Sequence, residues 1–171
     1  QRIPAGNTAG NDQYTREPWE VVLFVQDKLE IDELVLNAGV RFDLWEPNAP
    51  VPDDFQAVTN PEDGIRLATG FVDAKRSMQL SPRVGLAFPI SSRGVLHVSY
   101  GRFFQVPRFS YIYTNSEFEV QLGDLETIMG NADLKPERTT AYELGLQYAL
   151  TSSWKVEATI YYKDIKNLLG Q

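Results

Sequence analysis

Apolar and polar side chains alternate with a period of two along six stretches of the chain, and a sustained helical period is almost absent. Alternation of this kind predicts β-strands with one apolar and one polar face. It is clearest where apolar residues from Leu34 to Leu44 alternate with Asn37, Gly39, Arg41 and Asp43. The six predicted strands are Trp19–Glu30, Leu34–Trp45, Pro82–Ile90, Gly94–Gln105, Thr139–Leu150 and Trp154–Ile165.

The connections between these strands alternate between short and long. Tight polar turns are predicted at Ile31–Glu33, Ser91–Arg93 and Thr151–Ser153, and long loops at Glu46–Ser81 and Val106–Arg138. Loops beyond about 15 residues are uncommon in compact soluble domains. Outer-membrane barrels combine short periplasmic turns with long extracellular loops. The pattern therefore predicts an all-β fold: part of an antiparallel up-and-down transmembrane β-barrel, an incomplete barrel of about six long strands.

A soluble β-sandwich predicts the same alternation, because its apolar faces form a core. The predicted strands are longer than the sandwich average of about 5–6 residues. Aromatic residues also lie near the predicted strand ends, where membrane interfaces favour them; these are Trp19, Trp45, Phe103, Phe104 and Trp154. The pattern favours the barrel and leaves the sandwich open.

The amino-acid composition excludes some kinds of site and argues against some kinds of partner. The chain has no cysteine, which excludes disulfides and thiolate sites. Its net charge of −7 and lack of a basic stripe argue against a nucleic-acid partner. No run of about 18 apolar residues exists, but a barrel strand needs only about 9–11 residues. The termini, Gln1–Asn7 and Leu168–Gln171, look like cuts through a longer chain.

The stretch Gly130–Gly145 reads GNADLKPERTTAYELG and resembles the "GNPDLKPE…YELG" signature of TonB-dependent outer-membrane receptors. Ala132 departs from the proline usual in that family. Four further stretches resemble family motifs in the same order: Phe24–Asp43, Ser81–Ala87, Ser99–Pro107 and Tyr161–Leu168. The resemblance runs from about Pro18 to Leu168. It is nearest to receptors that carry a carboxypeptidase-regulatory-like domain before the plug.

The resemblance implies an active transporter in the bacterial outer membrane. Its partners would be outer-membrane lipid, TonB and a scarce extracellular nutrient such as a siderophore, vitamin, glycan or peptide. Residues 1–171 would be a partial receptor barrel domain from the middle or late part of the wall, without the plug, the TonB box and the C-terminal strands. TonB would act through those missing parts. The alternatives are a passive porin or secretion barrel and a soluble β-sandwich binding module.

No catalytic constellation is evident, and we expect no enzyme activity and no cofactor. His97 is the only histidine and alternates with apolar neighbours, so a polar wall position facing the lumen is expected. Acidic residues such as Asp53, Asp54, Glu62 and Asp63 lie in the loops without a calcium-loop spacing, which favours solvated charge over a metal site.

Three sets of residues are candidates for function. The family signature in the second long loop comprises Gly130, Asn131, Asp133, Leu134, Lys135, Pro136 and Glu137. Aromatic residues of the same loop would either stack on a ligand or pack the loop; these are Tyr111, Tyr113 and Phe118. Charged residues assigned to the lumen would contact the plug or the cargo, and these are Arg41, Arg83, Arg102, Glu143, Glu157 and Lys163.

Overall fold

The computed structural model describes residues 14–54, 58–59, 65–67, 70–116, 118–120 and 128–169. Six long strands form one sheet in the order β1-β2-β7-β8-β10-β11, so each long strand lies beside the next one along the chain. This up-and-down order confirms the predicted barrel-wall section. The long strands are β1 Trp19–Ile31, β2 Leu34–Glu46, β7 Ser77–Ser91, β8 Gly94–Gln105, β10 Glu137–Ala149 and β11 Lys155–Lys166.

The long connections contain secondary structure that the sequence pattern did not predict. Their described residues form a two-stranded ladder, a three-stranded ladder and one short helix. Their residues are β3 Pro50–Pro52, β4 Val58–Thr59, β5 Ile65–Leu67, β6 Phe71–Asp73, α1 Phe109–Tyr113 and β9 Glu119–Val120. Elements of two to five residues are too short to show a period, which is why the alternation gave only open loops here.

The chain divides into two compact units. We call one the wall unit (Val21–Leu44, Met78–Gln105 and Pro136–Gln171). We call the other the loop unit (Gln1–Glu20, Trp45–Ser77 and Val106–Lys135). Apart from Pro136, the buried apolar side chains found among the described residues belong to the loop unit, and include Trp45, Val51, Ile112, Tyr113 and Phe118.

The wall unit keeps its apolar residues exposed. Ile160 is 74% exposed and Leu144 is 45% exposed, although both lie in the middle of long strands. A soluble sandwich would cover such a face with a second sheet. Exposure of a regular apolar face is the arrangement that lipid contact requires, so the sandwich alternative is wrong.

Strand β7 begins five residues before the expected start at Pro82. Proline cannot donate a ladder hydrogen bond, which made it the natural first residue. The strand nevertheless extends back to Ser77, and the Arg138 side chain donates to the Met78 carbonyl at 3.2 Å within this extension. At the other end, the pairing of β7 with β8 shifts register between Pro89 and Ser91, beside the tight turn.

The described residues contain no helix long and apolar enough to cross a membrane.

Candidate functional site

The strand register arranges the apolar face of the wall unit in rows that run across the strands. Val98, Leu144 and Ile160 lie opposite one another on β8, β10 and β11. The next row towards the long loops is Tyr100, Tyr142 and Tyr162. Its ring centroids are 5.2 Å apart between Tyr100 and Tyr142, and 6.2 Å apart between Tyr142 and Tyr162. An apolar band ending in a line of tyrosines is the pattern of a lipid-facing barrel surface with an aromatic girdle.

The opposite face is polar and carries a groove of about 850 Å³. Four charged side chains line this groove: Arg41, Arg83, Glu143 and Lys163. The register explains their proximity, because Arg83 lies opposite Gly101, Gly101 lies opposite Ala141, and Ala141 lies opposite Lys163. Gly101 and Ala141 lie between Arg83 and Lys163, and the Phe103 ring covers Gly101, since an added Cβ there would lie 3.1 Å from that ring. We call this surface the lumen groove.

Aromatic rings and one carboxylate position the cations of the lumen groove. The Arg83 guanidinium lies 4.7 Å from the centroid of the Phe103 ring, and the Lys163 ammonium lies 5.5 Å from that of Tyr161. Such cation–π contacts hold a cation without neutralising it. Arg41 is instead paired with the fully buried Asp43, its Nη2 lying 2.7 Å from Oδ1.

The carboxylate of the lumen groove is available for a partner. Glu143 is exposed and lies opposite Ser99 on one side and Tyr161 on the other. Neither neighbour is a cation, and none of the ion pairs found among the described residues includes Glu143. The groove therefore presents Arg83, Lys163 and Glu143 as charges that an incoming polar surface or ligand can engage.

Two of the six residues assigned to the lumen lie outside this groove. Glu157 is opposite Gln147, on the polar face but nearer the tight turn. The assignment of Arg102 was wrong, because Arg102 pairs with Thr140 and therefore lies on the same face as Tyr100 and Tyr142. Strict alternation along β8 requires this placement, since Arg102 is two residues from Tyr100. The sequence signal for the correct face was present.

His97 lies on the polar face, as predicted, opposite Ala87 on β7 and Gly145 on β10. Its Nε2 atom is buried and has no hydrogen-bond partner within the described part of the chain. Neither of its cross-strand neighbours carries an ionisable side chain. No cluster of three or more metal-binding side chains exists among the described residues.

The family signature forms a compact turn in the loop unit. The Asn131 side-chain oxygen accepts a hydrogen bond from the Asp133 amide at 2.8 Å, and the Leu134 amide donates to the Asn131 carbonyl at 3.1 Å. This is an Asx-type turn, in which an asparagine side chain replaces a backbone partner. Asp133 in turn accepts from the Lys75 amide at 2.6 Å, which connects the two long loops.

The signature also forms backbone hydrogen bonds with the helix α1 and the residue that follows it. Gly130 and Asn131 donate backbone hydrogen bonds to the Thr114 and Tyr111 carbonyls at 2.6 and 2.8 Å. A side chain at Gly130 would meet backbone, because an added Cβ would lie 2.6 Å from the Ile112 carbonyl oxygen. The contacts found for the signature are thus contacts within the loop unit. They assign Gly130, Asn131 and Asp133 a structural role.

The last four signature residues continue from the turn into β10. Leu134 is half-buried and Lys135 is exposed. Pro136 is buried, and its carbonyl accepts a hydrogen bond from Asn167 at 3.0 Å. Glu137 begins β10 opposite Gln105 and accepts a hydrogen bond from the Thr139 hydroxyl at 3.3 Å.

The loop aromatics divide between the two roles that the sequence left open. Tyr113 and Phe118 are 3% and 2% exposed, so packing is their role. Phe118 lies 5.8 Å from Phe71 between ring centroids, and it adopts a left-handed backbone with φ of 57°. A bulky residue keeps that conformation only where its surroundings enforce it. Tyr111 is 39% exposed, and ligand contact stays a prediction for this residue alone.

Tyr113 makes the most buried polar contact of the three aromatics. Its hydroxyl donates to the Pro47 carbonyl at 2.6 Å, and burial raises the pKa of the phenol above its ordinary value. The ring also lies 5.7 Å from Phe109, which stacks on Trp45 at 6.1 Å. One hydroxyl therefore fixes the start of the first long loop against α1.

Tyr113→Phe is expected to loosen the loop unit without unfolding it. The change removes a buried hydrogen bond and leaves the Pro47 carbonyl unpartnered, which costs about 1–1.5 kcal/mol. Local hydrogen exchange in the peptide spanning residues 46–54 of the full-length protein should accelerate by about five- to tenfold. Tyr111→Phe is the matched control, because the Tyr111 ring is exposed, and it should leave the exchange unchanged. Equal protection in both variants would contradict the role given to the Tyr113 hydroxyl.

Comparison with known proteins agrees with this architecture. The chain aligns over 90% of its length with the FrpB iron transporter of Neisseria meningitidis, in the F3-3 variant with 15% identity and in the F5-1 variant with 16% identity, each with a TM-score of 0.54. It aligns over 86% of its length with the copper transporter OprC, with 16% identity and a TM-score of 0.55. The chain spans 19%, 20% and 21% of these three chains, respectively.

Curated proteins give no significant match to the sequence. The family model described as TonB dependent receptor-like, beta-barrel matches residues 2–171. That match covers the six long strands and both long loops. The predicted family is confirmed: this chain belongs to the TonB-dependent receptor β-barrel family.

Proposed function

We propose that the chain is a wall section of an outer-membrane active transporter that takes up a scarce nutrient with energy from TonB. The lumen groove carries this proposal, because it presents Arg83, Glu143 and Lys163 on the face opposite the apolar band. A plugged barrel needs such polar groups on its inner wall, where they hold the plug or contact passing cargo by hydrogen bonds.

The parts that move and the parts that recognise TonB belong to the rest of the receptor. TonB would relay energy from the inner membrane to the plug, and displacement of the plug would open a path along the inner wall. Residues 1–171 would supply scaffold and part of the outer loops. The cargo class stays open among siderophores, vitamins, glycans and peptides.

The test is uptake by cells that carry the full-length receptor. A deletion strain and its complemented counterpart are grown with a ferric siderophore, cobalamin, an oligosaccharide or a peptide as the limiting source. We expect uptake of one of these probes to depend on the receptor, and that uptake to be lost when TonB is removed. Uptake that persists without TonB, together with stable ion conductance in planar bilayers, would instead support a passive pore.

The lumen groove can be tested in the same cells. Arg83→Gln combined with Lys163→Gln removes two cations from the inner wall and leaves the apolar face intact. We expect normal amounts of folded receptor in the outer membrane and lower uptake of the dependent probe. Lys155→Gln combined with Arg93→Gln removes two cations near the tight turns and is the matched control.

A further inference from the structure

One cation of the lumen groove is held by an aromatic ring and not by a carboxylate. The Cζ atom of Arg83 lies 4.7 Å from the centroid of the Phe103 ring, which belongs to the neighbouring strand β8. Phe103 follows two residues after Gly101, and Gly101 is directly opposite Arg83 in the register. We call Gly101, Phe103 and Arg83 the stacked site. All three residues belong to the wall unit.

The glycine of the stacked site sets the position of the ring. A Cβ added at Gly101 would lie 3.1 Å from the Cε2 and Cζ atoms of Phe103 and 3.6 Å from the Cγ atom of Arg83. The ring and the arginine stem therefore pack directly over the glycine backbone. Because a backbone supports the ring and the ring supports the cation, the guanidinium is held in place before any ligand arrives.

The donors of Arg83 remain available to a ligand. The side chain is exposed and lines the lumen groove. Within the described part of the chain it forms neither an ion pair nor a side-chain hydrogen bond. A guanidinium carries five N–H donors in a fixed plane, and the ring face accepts its charge without replacing an oxygen acceptor. The stacked site therefore presents an oriented cation whose hydrogen-bond donors face the groove.

The other charges of the groove leave Arg83 as a single uncompensated cation. Arg41, on the neighbouring strand β2, is paired with the buried Asp43. Glu143 lies two strands from Arg83 and one lumen-facing row nearer the tight turns. Lys163 shares the register row of Arg83 but lies three strand spacings away, which is about 14 Å between backbones. An anion bound at Arg83 therefore meets one cation directly, with a second farther along the row.

We propose that the stacked site is a carboxylate-binding subsite of the lumen groove. A guanidinium binds a carboxylate through two parallel N–H···O hydrogen bonds, a geometry that requires a fixed orientation. Phe103 supplies this orientation, which reduces the entropy lost on binding. One guanidinium also matches the single charge of a carboxylate, whereas a phosphate group carries up to about two charges. The inference rests on the lumen placement proposed above and names the chemical group that the groove binds.

The experiment measures protection of Arg83 from phenylglyoxal, a reagent selective for guanidinium groups, in the purified full-length receptor in detergent. Mass spectrometry of proteolytic peptides gives the rate at which Arg83 is labelled. The probes are succinate, its uncharged diamide and inorganic phosphate, with the ionic strength held constant by sodium chloride. We expect succinate to slow the labelling of Arg83 in a saturable way. The diamide should give no protection, and phosphate should protect more weakly than succinate.

Phe103→Leu tests the contribution of the ring. Leucine keeps an apolar side chain but removes the ring face, so the succinate concentration for half-protection should rise about three- to fivefold. Phe103→Tyr keeps the ring and should protect as the wild type does. Phe104→Leu is the matched control, because Phe104 is the next residue of β8 and lies on the apolar face opposite Arg138. If Phe103→Leu fails to fold, the comparison of succinate with its diamide in the wild type still tests the subsite.

Four results would overturn the proposal. These are equal protection by succinate and its diamide, stronger protection by phosphate than by succinate, unchanged half-protection in folded Phe103→Leu receptor, and an Arg83 that phenylglyoxal does not label even without a probe. The last result would show that the plug occupies the stacked site. Because this readout needs neither TonB nor uptake, its failure is distinguishable from failure of the transport proposal.

Discussion

Leu144→Arg is expected to reduce assembly of the full-length receptor in the outer membrane. Leu144 lies in the apolar band between Val98 and Ile160, two residues along β10 from the tyrosine row. An arginine facing lipid costs about 2–4 kcal/mol at the middle of the bilayer and about 0–1 kcal/mol at its interfaces, so about 1–2 kcal/mol is expected one row inside the tyrosines. A loss of that size is a large part of the net stability of most proteins. The measurement is the fraction of receptor in membranes that reaches the folded, heat-sensitive form.

Gln147→Arg is the matched control on the same strand. Gln147 lies on the polar face opposite Glu157, so an arginine there faces the lumen and gains a carboxylate neighbour. We expect its folded fraction to stay near that of the wild type. Equal defects in the two variants would show that the assignment of the two faces is incorrect.

Gly130→Ala is expected to disrupt the loop unit while leaving the wall assembled. The new Cβ would lie 2.6 Å from the Ile112 carbonyl oxygen and 2.8 Å from the Thr114 amide nitrogen. These are backbone atoms, so relief requires movement of α1 and loss of the hydrogen bond from Gly130 to Thr114. We estimate the cost at on the order of 3 kcal/mol. Limited proteolysis of intact cells should then cleave within residues 106–135 of the full-length receptor.

Gly85→Ala makes the same chemical change where space exists. The nearest atom outside the adjacent residues would be the Asn37 Cβ at 4.0 Å, an ordinary van der Waals distance. This control should keep the loops resistant to protease. If Gly130→Ala were equally resistant, the signature glycine would have no packing role, and its place in the family motif would need a ligand-based explanation.

The long strands were predictable because their successive side chains face lipid and lumen in turn, which produces the apolar and polar alternation. Strand β8 was predicted with its observed bounds, Gly94–Gln105. Strand β7 was not, since Pro82 looked like a strand start, and nothing local indicates that β7 runs on to Ser77. The alternation along β8 also indicated that Arg102 shares a face with Tyr100, but its charge favoured an assignment to the lumen. Alternation is the stronger evidence near a strand end, where a long cation reaches water from either face.

The interior of the loop unit was less predictable. Tyr113 and Phe118 look alike in sequence to the exposed Tyr111, and their burial depends on partners far along the chain. The Pro47 carbonyl and the Phe71 ring are such partners. Sequence similarity identified the signature around Asn131 as characteristic of the family, but only the hydrogen bonds show that it joins the two long loops.

The tyrosine row has a geometric consequence for the position of the wall in the bilayer. Tyr100, Tyr142 and Tyr162 share one register line, which runs perpendicular to the strands. Strands that tilt by about 40° and lie about 4.8 Å apart carry such a line upward by about 3 Å per strand. The three rings therefore lie at different depths, spread over about 6 Å, which is nearly the full thickness of the headgroup layer. The three rings form an inclined line across the membrane boundary. Because of this inclination, one ring stays at the interface when the barrel shifts slightly along the membrane normal.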